Sequence, residues 1–234
     1  MSKNDVDLKV DWATHAAAKY ACEHWHYSRT MPMGKDIKVG AWEDGEFIGV
    51  VLFRNGAKDL GTPYGLRPGQ SCELARIAMK SHKRFVSEIV ARCIKYVKKQ
   101  SPDLRIIVSF ADPFQGHVGG VYQAGNWIYT GVSGSTVEFY YKGKWYHPRD
   151  FRSSDWSSVS GMDTSKLRKR KKPGKHRYLY PLDKEMRKQI EPLRKPYPKK
   201  QDTCAGSEAV SHQPFQAEDG GSIPTSALSL DNEV

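Results

Sequence analysis

The sequence has few cysteines. The four are Cys22, Cys72, Cys93 and Cys204, and they form no Cys-x-x-Cys pair and lie at no zinc-finger spacing from a histidine. We therefore expect reduced thiols in a cytoplasmic protein rather than a zinc finger or a disulfide scaffold. No apolar run approaches the roughly 18 residues that a membrane span needs, and the polar N-terminus lacks a secretory signal pattern, so we expect no membrane partner.

Hydrophobic residues are also scarce, and the positive charge is unevenly distributed. They make up 38% of the 234 residues, which predicts that part of the chain lies outside the core. Residues 166–200 hold 15 Lys and Arg against three Asp and Glu, whereas residues 201–234 hold six acidic residues and no Lys or Arg. This distribution predicts a catalytic domain over 1–150, a basic polyanion-binding extension over 151–195 and a disordered acidic tail over 196–234.

The hydrophobic periodicity predicts alternating strands and helices. The first helix is expected over about 12–25, with Asp11 as its N-cap, and the clearest amphipathic helix over 83–99. Strands are expected at 8–10, 37–41, 47–53, 73–79, 104–110, 127–130 and 136–141, with a short helix near 118–124 that ends at Gly125. This order predicts a mixed α/β sheet flanked by helices, with a partly parallel centre.

Two polar blocks lie at the ends of predicted elements. Trp25-His26-Tyr27-Ser28-Arg29 places an imidazole, a phenol and a hydroxyl at a helix end, where they are suited to proton transfer or metal binding, or simply terminate the helix. The stretch Ser109–Tyr122 follows a buried strand, and ligand sites of α/β sheets favour that position. Asp112 is then expected to be a base, a metal ligand or the N-cap of a turn.

Charged residues recur in two further segments. Glu73-Leu74-Ala75-Arg76 lies on a core strand, and alternation places Arg76 on the face of Leu74 and predicts an internal salt bridge or a functional role. The second segment is either a solvated charge run or a nucleic-acid contact, and its density favours the latter. The expected DNA-binding residues there are Lys166, Arg168, Lys169, Arg170, Lys171, Lys172, Lys175 and Arg177.

These blocks together resemble the Mom family of bacteriophage DNA-modification proteins. The resemblance is carried by His-Tyr-Ser-Arg at 26–29, Glu-Leu-Ala-Arg at 73–76 and the stretch from Ser109 through Gly131, and it covers roughly residues 8–150. It implies a fold like that of the GNAT acyltransferases. It also implies transfer of a carbamoylmethyl-type group to N6 of adenine in double-stranded DNA, in the cytoplasm of an infected bacterial host. Such a group would shield phage DNA from restriction enzymes that read adenine in the major groove.

The resemblance also implies roles for individual residues. The expected catalytic residues are His26, Tyr27, Ser28, Asp112, Gln115 and His117. The expected substrate- or donor-binding residues are Glu73, Arg76, Lys80, Lys83, Arg84, Gly116, Gly119, Gly120, Tyr122, Asn126 and Trp127. Base flipping is expected, with Tyr27, Tyr64 or Trp127 stacking on the extruded adenine.

The sequence differs from the GNAT enzymes in the loop that binds their donor, and it also contains residues suited to a metal site. GNAT enzymes bind the pyrophosphate of acetyl-CoA with a glycine-containing loop, and the corresponding stretch here, Lys80–Phe85, has no glycine. Acetyl-CoA or a related donor remains an expectation through the charges of Lys80, Lys83 and Arg84. An iron site built from His26, Tyr27 and Asp112 is a second expectation.

Two other functions are compatible with the sequence. One is an N-acyltransferase acting on a protein or a small amine, because the first 165 residues carry little net charge. The other is a DNA-binding module without catalysis, in which the basic segment does all the work.

Overall fold

The computed structural model describes residues 6–32, 34, 36–54, 60–151 and 159–200. Ten strands and four helices follow one another along this part of the chain. They are β1 (Leu8–Trp12), α1 (His15–Trp25), β2 (Asp36–Glu43), β3 (Glu46–Arg54), β4 (Ser71–Met79), α2 (Val86–Gln100), β5 (Ile106–Ala111), α3 (Gly120–Ala124), β6 (Ile128–Val132), β7 (Thr136–Tyr141), β8 (Lys144–Tyr146), β9 (Arg168–Lys172), β10 (His176–Pro181) and α4 (Lys184–Ile190). No helix in these ranges is long and apolar enough to cross a membrane.

Seven strands form a mixed sheet in the order β1-β2-β3-β4-β5-β10-β6. The β4–β5 pair is parallel, and the other neighbouring pairs are antiparallel. Helices α2 and α3 pack on one face, while α1 and α4 pack on the other. The expected mixed α/β sheet flanked by helices, with a parallel pair at its centre, is therefore confirmed.

The amphipathic pattern of α2 is confirmed, whereas its start and that of α1 shift. The stripe Ile89, Val90, Cys93, Ile94 and Val97 is buried against the sheet, as the 3.6-residue period predicts, but the helix begins at Val86. The expected N-cap role of Asp11 is wrong. Strand β1 continues through Trp12, and Thr14 caps α1 by accepting a hydrogen bond from the Ala17 N–H at 3.1 Å.

The two central strands separate where their polar residues begin. β4 and β5 pair over Ser71–Leu74 and Ile106–Ser109. Beyond these residues β4 remains paired with β3 up to Met79, while β5 remains paired with β10 up to Ala111. The carboxyl ends of the two parallel strands thus diverge and leave a gap in the middle of the sheet.

The basic segment contributes a central strand of this sheet. β10 lies between β5 and β6, and its Tyr178 and Leu179 are fully buried on opposite faces. The chain after residue 181 continues into α4, and Tyr197 donates a hydrogen bond of 2.6 Å to the Trp127 carbonyl. The central sheet therefore includes residues on both sides of the domain boundary expected after residue 150. Its strand β10, between β5 and β6, comes from the segment that composition assigned to the basic extension.

Residues 196–200 are ordered against the domain, and the rest of the expected disordered tail, 201–234, lies outside the described residues. A second, three-stranded sheet has the order β8-β7-β9. Its β9 is the most basic part of the chain, Arg168–Lys172, and pairs antiparallel with β7. Three cysteines are described, and Cys22, Cys72 and Cys93 are unpaired and buried.

Candidate active site

A cavity of about 960 Å³ lies where β4 and β5 separate. Most of its wall is formed by the end of α1, by Glu73–Ile77 of β4, by the end of β5 with Asp112, and by Gly116–Tyr122, which lead into α3. His147, Asp150, Lys175 and Lys200 contribute from the C-terminal half. The cavity therefore brings together the His-Tyr pair, Glu-Leu-Ala-Arg and the Asp112 loop, which are far apart in the sequence.

His26 is held as a neutral imidazole at the end of α1. The Ser28 backbone N–H donates to its Nδ1 at 3.1 Å, and the Ser28 hydroxyl lies 2.8 Å from the same nitrogen. Because a backbone N–H can only donate, Nδ1 is the acceptor and the neutral ring carries its proton on Nε2. Burial, aided by the positive charge of Arg76 and by His117, lowers the pKa of His26 to about 4.

Tyr27 and His117 form the aromatic part of the wall. Their ring centroids lie 5.2 Å apart, and the Tyr27 ring is 50% exposed. Burial of its hydroxyl raises the pKa of Tyr27, so the phenol keeps its proton at neutral pH. The two ring planes are tilted by 48°, so a planar group can stack on one ring at a time.

Asp112 has both a structural and an electrostatic role. Its Oδ1 accepts a hydrogen bond from the Phe114 N–H at 3.0 Å, so the expected N-cap is confirmed for the short 3-10 turn Pro113–Gln115. Its Oδ2 lies 3.3 Å from the Lys172 ammonium group and 3.8 Å from that of Lys175. The carboxylate is only 6% exposed, and the two lysines compensate the cost of burying its charge.

Arg76 lies on the face of the sheet that α1 covers. Simple alternation predicted that it would share a face with Leu74, and that prediction is wrong. The pairing of β3 with β4 shifts register between Leu52 and Phe53, so Ala75 is an extra residue that forms a β-bulge. A bulge reverses the alternation beyond it. Leu74 therefore contacts the α2 side, while Arg76 acts electrostatically on His26.

The expected salt bridge of this strand has a different partner. Glu73 pairs with Arg54 at 3.0 Å. Arg76 makes no salt bridge with any residue in the described ranges, and its Nε is buried without a hydrogen-bond partner there. The cavity thus contains a guanidinium group that forms no direct ion pair with the described side chains. The carboxylate of Asp36 nevertheless lies close enough to be affected, because burial raises its pKa and the charge of Arg76 acts in the opposite direction.

A buried pair of hydroxyls lies at the point where the strands separate. The Ser109 hydroxyl lies 2.8 Å from the Leu74 carbonyl and 2.7 Å from the Tyr122 hydroxyl. The carbonyl can only accept, and Ser109 has one proton to donate, so Ser109 donates to Leu74 and accepts from the Tyr122 phenol. Burial raises the pKa of Tyr122 to about 12. This chain of hydrogen bonds joins β4, β5 and α3, and fixes the cavity floor.

The stretch before α2 does not reach the cavity. Glu43 is 6% exposed, and its two carboxylate oxygens accept the N–H groups of Lys83 at 2.8 Å and Arg84 at 2.7 Å. The side chains of Lys80, Lys83 and Arg84 pair with Glu46, Asp44 and Glu88, respectively. Two N–H groups before the helix are thus bound by the protein's own carboxylate, and the three cationic side chains are paired within the protein, so the structure does not support the expected pyrophosphate contact through Lys80, Lys83 and Arg84.

Several other expected site residues lie outside the cavity. Trp127 is 1% exposed and packs on Tyr122 and Tyr180, so it is a core residue and is not available to stack on a base. Tyr64 is buried beside α4, and Asn126 is exposed in the turn after α3. Gln115 and Ser28 are not part of the wall, although Ser28 supports His26. The remaining expected residues line the cavity, namely His26, Tyr27, Glu73, Arg76, Asp112, Gly116, His117, Gly119, Gly120 and Tyr122.

The structure does not support the expected iron site. Nδ1 of His26 accepts a hydrogen bond from Ser28, and both oxygens of Asp112 have partners within the protein. Within the described ranges there is no group of three or more His, Cys, Asp or Glu side chains that could hold a metal ion. We therefore assign no step to iron.

The structure adds residues that the sequence did not reveal. His147 and Asp150 line the cavity from the turn after β8, and Lys200 from the last described residues. Glu43 was hidden among ordinary hairpin residues. None has a local sequence signal, because each acquires its position from the packing of distant segments.

The basic segment divides between the two sheets. Its strand residues Arg168–Lys172 lie in the small sheet, Lys175 reaches the cavity, and the Arg177 guanidinium donates to the Thr130 hydroxyl at 2.8 Å. Lys166 precedes β9. The first part of the basic segment thus borders the cavity, and the part that forms β10 belongs to the central sheet.

Comparison with solved structures finds acetyltransferases. An N-acetyltransferase from Staphylococcus aureus Mu50 is 13% identical with a TM-score of 0.42, covering 76% of this chain and 99% of that one. A GNAT-family acetyltransferase from Streptococcus pneumoniae is 12% identical with a TM-score of 0.42, covering 76% of this chain and all (100%) of that one. These are loose overlaps of strands and helices, and nothing about the chemistry of the site rests on them.

The sequence comparisons are more specific. The methylcarbamoylase Mom of Escherichia phage Mu is 24% identical over 216 residues, which cover 82% of this chain and 84% of that protein. The model of the Mom protein family matches residues 7–199 and so includes β1, the cavity, the small sheet and α4. The chain therefore belongs to the Mom protein family.

Proposed function

We propose that this protein is a transferase that attaches a carbamoylmethyl group to N6 of adenine in DNA, and thereby protects phage DNA from restriction enzymes. The observation that carries the proposal is the cavity between β4 and β5. It unites the three polar blocks of a Mom family member next to the most basic strand of the chain. Its volume of about 960 Å³ is at the upper end of the range of small-ligand sites, and it leaves room for a base together with a donor group.

The aromatic wall is suited to a base that has left the double helix. An adenine within a duplex is stacked, so its N6 reaches a cavity of this kind only after the nucleotide is flipped out. Either Tyr27 or His117 would stack on the extruded ring, because the two ring planes are tilted by 48°. Arg76 and the cavity lysines have the charge needed to hold the phosphates and the donor.

The reaction replaces one N6–H bond with an N6–C bond. The N6 nitrogen attacks the methylene carbon of the donor, the leaving group departs with its bonding electron pair, and the N6 proton passes to the Asp112 carboxylate. Neutral His26 would donate a hydrogen bond through Nε2, and Arg76, which forms no direct ion pair among the described residues, would stabilise the negative charge on the leaving group. The donor is a molecule that carries a carbamoylmethyl group.

The alternative of conventional acyl transfer to a protein or a small amine predicts a different use of α2. Such an enzyme would bind its donor pyrophosphate through the loop before α2, where Glu43 already accepts the N–H groups of Lys83 and Arg84. The alternative of a DNA-binding module without catalysis leaves the cavity unexplained. It cannot be tested by deleting residues 166–234, because that deletion removes β10 from the centre of the sheet.

The test is mass spectrometry of nucleosides from plasmid DNA after expression of three proteins in one host. Wild type is compared with Asp112→Asn, which keeps a side-chain oxygen for the turn, and with the exposed control Asp103→Asn. We expect a heavier deoxyadenosine, with carbamoylmethyl replacing one hydrogen, in wild type and the control but not in Asp112→Asn. Unmodified deoxyadenosine from folded wild type in the presence of phage-infected cell extract would refute the proposal. Full modification by Asp112→Asn would refute the role of that carboxylate.

A further inference from the structure

The small sheet presents its two faces to different surroundings. Side chains alternate along a strand, so Arg168, Arg170 and Lys172 share one face of β9, while Lys169 and Lys171 share the other. Across the ladder, Arg168 is paired with Tyr140. The first face therefore combines the cations of β9 with aromatic residues of β7 and β8.

Cations and aromatic rings alternate on this face. The Arg170 guanidinium lies 4.9 Å from the centroid of the Phe114 ring and 4.3 Å from that of Trp145. Trp145 in turn lies 5.2 Å from Tyr140, and Arg168 lies 5.9 Å from Trp145. We call these five residues, Phe114, Tyr140, Trp145, Arg168 and Arg170, the stacking face.

The stacking face begins at the edge of the cavity. Phe114 follows Asp112 by two residues, and Lys172 contacts both: its ammonium lies 5.0 Å from the Phe114 ring and 3.3 Å from the Asp112 carboxylate. Phe114 is 46% exposed and Tyr140 is 37% exposed, so both rings are accessible to a ligand. A ligand can thus pass from these rings to Asp112 without leaving the protein surface.

The chemistry of the stacking face matches an unpaired DNA strand better than a duplex. Aromatic rings and guanidinium planes stack on base faces, and the cations neutralise phosphates. In a duplex the base faces are covered by their neighbours, and only phosphates and base edges are accessible. The acidic Glu138 accepts two hydrogen bonds from Arg170, at 2.6 and 2.8 Å, and holds its guanidinium plane in one orientation between the rings. A purely electrostatic duplex surface has no need of that arrangement.

We propose that the stacking face binds the unpaired DNA strand next to the target nucleotide, so that adenine enters the cavity from a single-stranded or locally opened segment. The inference rests on the proposed function for the identity of the target base. It adds the state of the substrate and the surface that recognises it. On the opposite face of β9, Lys169 lies 5.7 Å from the ring of Phe139, which packs against Phe151, so that ring is less available to a ligand.

The test is fluorescence anisotropy with the full chain and a labelled 12-nucleotide DNA, used single-stranded and as the duplex, at fixed salt. We expect tighter binding of the single strand. Phe114→Ala and Trp145→Ala should each weaken single-strand binding by roughly 5- to 100-fold, the usual effect of losing one stacked base, and should change duplex binding little. The matched control is Phe85→Ala, which removes a ring that is 64% exposed at the start of α2, outside the stacking face.

The charge arm of the test compares Arg168→Ala with Lys171→Ala, since each removes one positive charge from β9. Only Arg168→Ala should lower the preference for the single strand, whereas both should reduce the salt dependence of binding. Two results would each overturn the inference. They are equal or tighter binding of the duplex by wild type, and ring variants that bind the single strand no more weakly than Phe85→Ala.

Failure of the inference can be told apart from failure of the proposed function. Unmodified nucleosides together with ring-dependent single-strand binding would refute the adenine chemistry and retain the stacking face. Modified adenine with ring variants that bind normally would retain the chemistry and refute the stacking face.

Discussion

Gly119 is the position in the cavity wall where a single methyl group should have the largest structural effect. Its φ is +80°, a conformation that residues with a side chain rarely adopt. A Cβ placed there would lie 2.5 Å from Cε2 and 2.8 Å from Cζ of Tyr178. Tyr178 cannot move aside, because it is fully buried in β10 and its hydroxyl donates to the Val118 carbonyl at 2.5 Å.

The magnitude follows from two separate costs. The left-handed backbone costs a residue with a Cβ about 1–2 kcal/mol. Forcing a methyl group against a fixed ring in a packed core costs about 1–3 kcal/mol more. Gly119→Ala should therefore lower the free energy of unfolding by about 2–5 kcal/mol, a large share of the roughly 5–15 kcal/mol that a domain of this kind has.

The adjacent glycine provides the control. A Cβ at Gly120 meets no heavy atom within 4 Å, and this residue begins α3. Gly120→Ala should leave stability unchanged or raise it by up to about 1 kcal/mol, because Ala favours a helix. Urea unfolding followed by circular dichroism measures both variants. Equal unfolding free energies for the two variants would contradict the assigned contact between Gly119 and Tyr178.

Three further predictions concern groups that hold the site together. Because the pKa of His26 is lowered from 6.5 to about 4, the unfolded chain takes up a proton below pH 6.5 that the folded chain does not; by linkage this removes about 2 kcal/mol of stability between pH 7 and pH 5, levelling off below about pH 4. His26→Gln should lose this part of the pH dependence in urea titrations and the exposed control His24→Gln should keep it, and identical pH profiles for wild type and His26→Gln would rule the effect out. Glu43→Gln replaces a carboxylate that accepts two backbone N–H groups, so thermal unfolding should show a loss of about 1–2 kcal/mol; no loss would mean that these hydrogen bonds contribute nothing to α2. Ser109→Ala leaves the buried Tyr122 hydroxyl without its acceptor and should cost about 1–3 kcal/mol in the same assay, and a stability equal to wild type would show that the phenol has another partner.

Local patterns were sufficient for the elements that have one buried face. The stripe from Ile89 to Val97 predicted α2, and the polar block at Asp112 was correctly placed at the end of a buried strand. The two polar blocks and the Glu-Leu-Ala-Arg strand were also expected at the site, and the structure brings all three to one cavity. Each of these features depends on residues that are close together in the chain.

The structure differs from the sequence-based expectations where strands that are far apart in the chain pair with each other. The composition of residues 166–180 resembles a solvated tail, yet Tyr178 and Leu179 complete the central sheet. A sequence window long enough to reveal a hydrophobic period also includes the surrounding Lys and Arg, and these hide the two buried residues in the average. The bulge at Ala75 likewise has no local signal, because it is defined by the register of β3 against β4.

The sequence by itself determined the mixed α/β class, the main helix and the residues that belong to the Mom family pattern, because periodicity and motif spacing are local properties. Only the tertiary structure decided where those residues act. The separation of β4 from β5 creates the cavity, Glu43 occupies the anion site before α2, and β9 brings arginines over exposed aromatic rings. Each of these arrangements depends on hydrogen bonds and packing between segments that are distant in the chain. A local sequence pattern therefore cannot predict them.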